Sequence, residues 1–284
     1  MRRNRLKAKI EAGTLAVGLV HFSGISSTID VMGAAGLDFV TIDTEHACND
    51  VGNLQDLIRS ADAAGITPII RLTEVNRTLI QQVLDAGAGG VMISRISSPA
   101  QAVAAVQAAK YPPLGMRGSC PTVRAADFGP EVNSKYYENW SAYQETANRE
   151  VLLSLLVEEK AGHEQIDQIL SVPGVDIVSL GLLDTSISLG LPKDARWARW
   201  DHPVLSAALD RVIASAKEHN VYVQVSIGQP PEADPAYTAS IARPGVNLLS
   251  CGSDLDILLH GCRRVVAMRP QLIAAQSTPA TRGA

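Results

Sequence analysis

The sequence predicts an α/β protein of the (β/α)8 TIM barrel type, built as a single domain. Three observations predict it. Eight short runs are apolar throughout rather than alternating, which is the pattern of strands buried on both faces of a parallel sheet. Amphipathic helical patterns lie between most of them, as βαβ connections require. The chain of 284 residues is long enough for eight such units and their loops. An open doubly wound sheet remains the alternative, because periodicity does not report closure.

The expected strands are residues 15–20, 39–42, 67–70, 90–93, 151–157, 175–180, 221–226 and 246–250. Helical patterns occupy residues 51–64, 78–86, 99–109, 163–170, 203–218 and 254–268. Two stretches exceed what a connection needs. Residues 111–149 carry Pro112, Pro113, Gly115, Gly118, Pro121, Gly129 and Pro130 before a polar helical piece, and residues 190–203 hold Trp197 and Trp200. Long insertions in a compact domain are usually functional or interfacial, so both are expected to act as lids or subunit contacts. The barrel is expected to span residues 1–272, with a disordered tail over 273–284, rich in Ala, Thr, Pro and Ser.

Composition narrows the function. Hydrophobic residues make up 46% and charged residues 19%, a globular profile. A net charge of -4 leaves no basic stripe for phosphates, which argues against nucleic acid as a partner. The apolar runs are strand-sized, too short to span a membrane. Met1-Arg2-Arg3-Asn4-Arg5 is basic, but no apolar core follows it, so export is not expected. Cys48, Cys120, Cys251 and Cys262 show no CxxC spacing, which argues against a zinc site or a disulfide framework and for a cytoplasmic location. Cys48 follows His46 by two residues, so a nucleophilic thiol is one alternative and a packed small residue the other.

Four groups of residues carry candidate chemistry. Glu158 and Asp184 each end an apolar strand run, where a carboxylate is costly unless a charge compensates it. A shared divalent cation would do so with hard oxygen ligands; capping a helix or pairing with a surface cation are the alternatives. Asp43, Glu45 and His46 follow the second strand, at the end where barrel enzymes place reactive groups. Asp43 is expected to orient the His46 imidazole as a general base, against the alternative of a helix-capping cluster with an exposed His. Arg71 closes the third strand and is expected to bind an oxyanion or a carboxylate, to pair with Glu45, or both. Lys160 raises Schiff-base chemistry, which Glu158 and Glu159 beside it would oppose by keeping its ammonium charged.

The series Asp43-x-Glu45-His46, Arg71, Tyr111-Pro112-Pro113-Leu114-Gly115-Met116-Arg117-Gly118, Glu158, Gly174-Val175-Asp176 and Gly181-x-x-Asp184-x-Ser186 resembles the HpcH/HpaI aldolase family and the wider citrate lyase β-subunit superfamily. The likeness runs in order from Gly18 to about Leu259. It implies a (β/α)8 barrel assembled as a homo-oligomer, commonly a hexamer of dimers exchanging the last helix. It further implies a metal-dependent carbon–carbon lyase that forms or cleaves 4-hydroxy-2-oxo acids through a pyruvate enolate. On this resemblance Glu158 and Asp184 ligate Mg2+, Mn2+ or Co2+, and Arg71 binds the keto oxygen. His46 with Asp43 moves protons, and backbone amides around Leu182, Leu183 and Asp184 hold the carboxylate of the 2-oxo acid.

Two departures stand out. Leu156 occupies a position where family members commonly carry Gln, and Gly181-Leu182-Leu183-Asp184-Thr185-Ser186 replaces Gly-Pro-Ala-Asp-Leu-Ser. They put a substrate hydrogen bond and the carboxylate loop in question, and leave oxaloacetate decarboxylation or enolate addition to another electrophile open. A non-catalytic barrel with a binding role is the reading from another class. The cost of burying Asp43, Glu45, His46, Arg71, Glu158 and Asp184 counts against it. Glu45 is grouped with the substrate side, and so is His21, which with Phe22 and Ser23 could face the acceptor aldehyde or simply pack the first loop. Arg117 and Arg124, in the long loop, would bind a distal carboxylate or close a subunit contact.

Overall fold

Eight parallel strands follow one another around the sheet in sequence order and the last returns to the first. In the computed structural model, which describes residues 3–129, 139–191, 198–228 and 234–277, they are β1 (Ala16–His21), β2 (Phe39–Asp43), β3 (Thr67–Leu72), β4 (Gly90–Ile93), β5 (Leu152–Leu156), β6 (Ile177–Leu180), β7 (Tyr222–Ser226) and β8 (Leu248–Ser253). Closure is made by β1 against β8, with Ala16 paired to Leu248 and a register shift between Gly18 and Val20. Every expected strand is present, and the sheet is a barrel rather than an open sheet.

The unbroken apolar character of the strands has a simple cause. Val40, Ile42, Ile70, Val91, Leu153, Val178, Val223 and Leu249 belong to the large core that also takes in the surrounding helices. Phe39, Ile69, Met92, Leu152, Ile177 and Leu248 fill the barrel interior, where Leu6 and Ile10 of α1 (Arg5–Glu11) close the N-terminal end.

The outer ring runs through α2 (Ser26–Ala34), α3 (Val51–Ala64), α4 (Arg77–Asp85), α5 (Pro99–Ala109), α6 (Trp140–Glu150), the short pair α7 (Lys160–Glu164) and α8 (Ile166–Leu170), α9 (Leu182–Ser188), α10 (Pro203–Glu218), α11 (Pro235–Ile241), α12 (Asp254–Ala267) and α13 (Arg269–Ser277). Helix α3 shows the logic. Asp50 caps it by accepting from Asn53 N at 2.8 Å, and Gly65 ends it at φ 82. Leu54, Leu57, Ile58 and Ala61 form its buried face at helical spacing. Truncating Leu57, which is fully buried, to Ala is worth about 2–5 kcal/mol.

Three local differences from the sequence reading have physical reasons. The helix expected over 163–170 is broken at Gln165 (φ -106, ψ 18), leaving α7 and α8. Helix α9 begins at Leu182, directly after β6, where Leu182 and Leu183 prolong the apolar run of the strand. Helix α13 makes residues 273–277 helical where a disordered tail was expected, and 278–284 lie outside the described residues, as do Pro130 and Trp197. Among the described residues no helix is long and apolar enough to cross a membrane.

The first long insertion folds on the outside of the barrel. Trp140 stacks on Tyr143 at 4.5 Å, and Arg117 lies over Tyr111 at 4.8 Å while pairing with Asp85 at 2.6 Å. Arg124 pairs with Asp62 at 2.5 Å. Both arginines are thereby paired with carboxylates and neither lines the cavity at the C-terminal mouth, which counts against the distal-carboxylate alternative and leaves the subunit contact.

Candidate active site

The C-terminal ends of the strands open into a cavity of about 820 Å³ whose wall includes His46, Arg71, Glu158, Leu182, Leu183 and Asp184. A smaller cavity of about 200 Å³ at the opposite end, bordered by Arg3, Asn4 and Arg124, contains neither His46, Arg71 nor the Glu158 and Asp184 carboxylates.

Arg71, next to last in β3, is held from two sides. Its Nε lies 2.5 Å from Asp43 Oδ2 and its Nη2 3.3 Å from Glu45 Oε2. Strand register makes this possible, because Asp43 and Arg71 are direct neighbours across β2 and β3. Glu45 is fixed in turn by the Ser94 hydroxyl, which donates to its Oε2 at 2.7 Å. The guanidinium is thus held by charge from two sides, though Nε and Nη2 lack hydrogen-bond geometry to these carboxylates, and this placement suits an oxyanion contact.

The other carboxylate of that pair serves the backbone. Asp43 Oδ1 accepts from the amides of Glu45 (2.9 Å), His46 (2.6 Å) and Ala47 (3.2 Å). This corrects the expected dyad. Asp43 shapes the turn that carries His46 rather than hydrogen-bonding the imidazole, and among the described residues no side chain orients that ring. His46 is exposed and stands in the cavity wall.

Glu158 sits two residues beyond β5 and is only 5% exposed. Burial, with the negative charges of Asp184 and Glu45 added to it, pushes its carboxyl up to about 7 against the partial relief of Arg71. Glycine at 181 is what admits it: a Cβ there would lie 2.2 Å from Glu158 Oε2. Asp184 is in the first turn of α9 and is exposed in the same cavity. Two carboxylates, one buried and without an ion-pair partner among the described residues, fit a hard divalent cation whose remaining positions are filled by substrate oxygens and water. The first intrahelical bond of α9 is Thr185 N to Gly181 O at 3.2 Å, so helix geometry leaves the amides of Leu182, Leu183 and Asp184 without an intrahelical acceptor beside this pair.

Two expected substrate contacts are not at the cavity. His21 is fully buried, with Nδ1 3.0 Å from Asp254 Oδ2, and it ties β1 to the start of α12. Burial alone would raise the Asp254 carboxyl; hydrogen bonds from His21, Phe22 and Ser23 outweigh it and hold it well below the usual carboxylate range. Glu45 pairs with Arg71 and does not line the cavity. Lys160 lies on the surface, paired with Glu164 at 3.8 Å, and no lysine borders the cavity among the described residues.

The profile of HpcH/HpaI aldolase/citrate lyase proteins matches residues 22–260. The chain belongs to this family. A 2-keto-3-deoxy-L-rhamnonate aldolase of Klebsiella pneumoniae is 32% identical over 270 residues, covering 93% of this chain and 92% of the relative. An HpcH/HpaI aldolase of Desulfitobacterium hafniense superposes with a TM-score of 0.81 at 28% identity, over 98% of this chain and 99% of that one. A family member from Burkholderia cenocepacia gives 0.80 at 30% identity, over 94% and 99%. The protein is accordingly an aldolase-type lyase acting on small molecules.

Further residues of this HpcH/HpaI member border the cavity without a local motif to mark them. Arg199 stacks on the Tyr237 ring at 4.0 Å, held by Asp201 at 2.8 Å and Asp234 at 2.9 Å. Trp200 anchors that segment by donating from Nε1 to Ser226 O at 2.8 Å. His260 and Arg263 reach the rim from α12. A long Trp-bearing connection was visible in the sequence, but the distance from Arg199 to Tyr237 along the chain hid their pairing. Leu156 lines the wall at 4% exposure, so the family departure noted there faces the ligand space.

Proposed function

We propose that this protein is a divalent-metal-dependent pyruvate aldolase that cleaves or forms a 4-hydroxy-2-oxo acid. Glu158 and Asp184 would hold Mg2+, Mn2+ or Co2+, which when bound supplies Lewis-acid polarisation of the 2-oxo group. The observation that carries the reading is Glu158, a buried carboxylate that shares one cavity with a second carboxylate and the Arg71 guanidinium.

The protein's own groups then divide the work. Arg71, held by the charges of Asp43 and Glu45, offers its guanidinium N–H groups to the oxygen on which charge grows as an enolate forms. His46 takes the proton from the C4 hydroxyl as the C3–C4 bond breaks, and returns one in the condensation direction. Amides of Leu182, Leu183 and Asp184 receive the 2-oxo acid carboxylate at the positive end of α9. The surface position of Lys160 supports a route without a Schiff base.

Oligomerisation belongs to the same proposal. Leu255, Leu258, Leu259, Val265, Val266, Leu272 and Ile273 are exposed along α12 and α13, an apolar face suited to a second copy of the chain. The free thiols accord with a reducing, cytoplasmic setting.

Chelation with EDTA tests the central claim: activity should vanish and return with Mn2+, Co2+ or Mg2+. Borohydride trapping of pyruvate on a lysine, with turnover indifferent to EDTA, would overturn it.

A further inference from the structure

Below the charged groups the cavity is bordered by Met92 and Leu156 and also by four polar side chains, where barrel interiors are usually branched and apolar. Thr41 lies two residues before Asp43 on β2, Ser179 two before Gly181 on β6, and Gln224 and Ser250 on β7 and β8; all four border the cavity. Thr41, Ser179 and Ser250 are each 2% exposed and Gln224 4%. Thr41 Oγ1 and Ser250 Oγ have no hydrogen-bond partner among the described residues. A buried hydroxyl without a partner carries a desolvation cost that a bound polar group removes.

Gln224 is oriented rather than loose. Ser154 and Ser179 hydroxyls lie 2.7 Å apart, and Ser179 Oγ donates to Gln224 Oε1 at 3.1 Å. This relay occupies the amide oxygen and turns the NH2 away from β6, where it meets no acceptor among the described residues. The register connects it to the family departure, since Leu156 pairs with Ser179 and Ser179 with Gln224. An amide donor on β7 therefore stands two strands around the wall from the β5 position that has become Leu156.

We propose that Gln224, Thr41 and Ser250 form a recognition subsite for a neutral, hydroxyl-bearing part of the substrate. Three observations select that chemistry. The floor groups are uncharged, so nothing among them compensates a buried carboxylate or phosphate. They combine a fixed NH2 donor with two hydroxyls that donate or accept, the complement of an alcohol. They line the same cavity as Glu158 and Arg71. A site built to hydrogen-bond an alcohol discriminates strongly against the analogue lacking it, because its own polar groups are then left unpaired.

The inference rests on the aldolase reading, and the experiment separates the two. Exchange of pyruvate methyl protons with D2O by the wild-type enzyme checks the aldolase reading first; absence of exchange sinks that reading and removes the basis for this one. Condensation is then compared in two pairs: pyruvate with glycolaldehyde against pyruvate with acetaldehyde, and hydroxypyruvate with acetaldehyde against pyruvate with acetaldehyde. The first pair reads an acceptor hydroxyl and the second a donor hydroxyl. The wild type should favour the hydroxylated member of one pair by tenfold or more in kcat/KM. Gln224→Leu, Thr41→Val and Ser250→Ala should each collapse that ratio, whereas a purely structural role would lower both members together. Ratios equal to wild type in all three variants and both pairs overturn the subsite and leave the floor as a shelf for bound water. If Gln224→Leu does not fold, the near-isosteric Thr41→Val decides.

Discussion

Arg71 and Asp43 form a closed ion pair, Nε to Oδ2 at 2.5 Å, in which the carboxylate is fully buried while the guanidinium borders the cavity. Asp43 also gathers three backbone amides from residues 45–47, so one side chain sets both the Arg71 fork and the turn presenting His46. Removing one partner of a buried pair leaves an uncompensated charge, at a cost of about 3–5 kcal/mol.

On the proposed role, Arg71→Ala should depress turnover by about a hundredfold or more, the scale of losing one oxyanion donor. Arg71→Lys keeps the charge without the fork and should recover only part of the rate. Pyruvate proton exchange with D2O isolates this step, because it needs no aldehyde. Exchange at the wild-type rate in Arg71→Ala would return the residue to a structural ion pair with Asp43 and Glu45.

His46 is exposed and its ring is not held by Asp43, so its loss should leave stability unchanged within about 0.5 kcal/mol. Turnover in His46→Ala should fall by roughly two to four orders of magnitude, the range of general acid–base loss. Asp43→Asn should slow turnover and also destabilise, since it acts through Arg71 and the turn. A thermal melt beside the kinetics separates the two, and near wild-type turnover in His46→Ala would mean that another group moves the proton.

The strands were legible because burial on both faces leaves short unbroken apolar runs, and all eight fell within a few residues of their observed bounds. The Asp43–His46 relation was misread because a carboxylate three residues before a histidine satisfies two geometries. Here the backbone amides won, being fixed close to the side chain by the turn itself. His21 and Asp254 meet across 232 intervening positions, and the cavity floor draws Thr41, Ser154, Ser179, Gln224 and Ser250 from five strands. Of these only Thr41, Ser179, Gln224 and Ser250 border the cavity, Ser154 reaching it through Ser179, and neither grouping leaves a local motif. Helix α9 was hidden for the opposite reason, since Leu182 and Leu183 continue the apolar run of β6.

Glu158 gives a pH prediction with a definite sign. Its folded carboxyl titrates near 7, above the ordinary value of 4.5, so the metal-free fold favours the protonated form. That contribution to stability is complete below about 4.5 and is lost as pH rises through 7. Metal-free Glu158→Gln should therefore match wild type at pH 4 and exceed it at pH 8, by an amount on the order of 1–3 kcal/mol in urea unfolding. Cation binding must displace the same proton, so Mn2+ affinity in wild type should fall about tenfold from pH 8 to pH 6. A pH-independent Mn2+ titration would remove Glu158 from the ligand set.

Gly181 offers the sharpest steric test of that ligand pair. It lacks the Cβ that would stand 2.2 Å from Glu158 Oε2, and its backbone also begins α9, so the two ligand positions meet at this residue. In Gly181→Ala the carboxylate must give way, since neither the strand end nor the helix start can move without breaking neighbouring pairs. Metal affinity should drop by tenfold or more, and the 2-oxo acid should bind more weakly in proportion. Gly261→Ala is the control: it lies within α12 with nothing inside 4 Å of the added carbon, and it should be neutral or stabilising by up to about 1 kcal/mol. Titration of Mn2+ into both variants decides. Unchanged affinity in Gly181→Ala would mean that Glu158 can bind from another rotamer, and that the close approach to Gly181 is packing rather than ligand positioning.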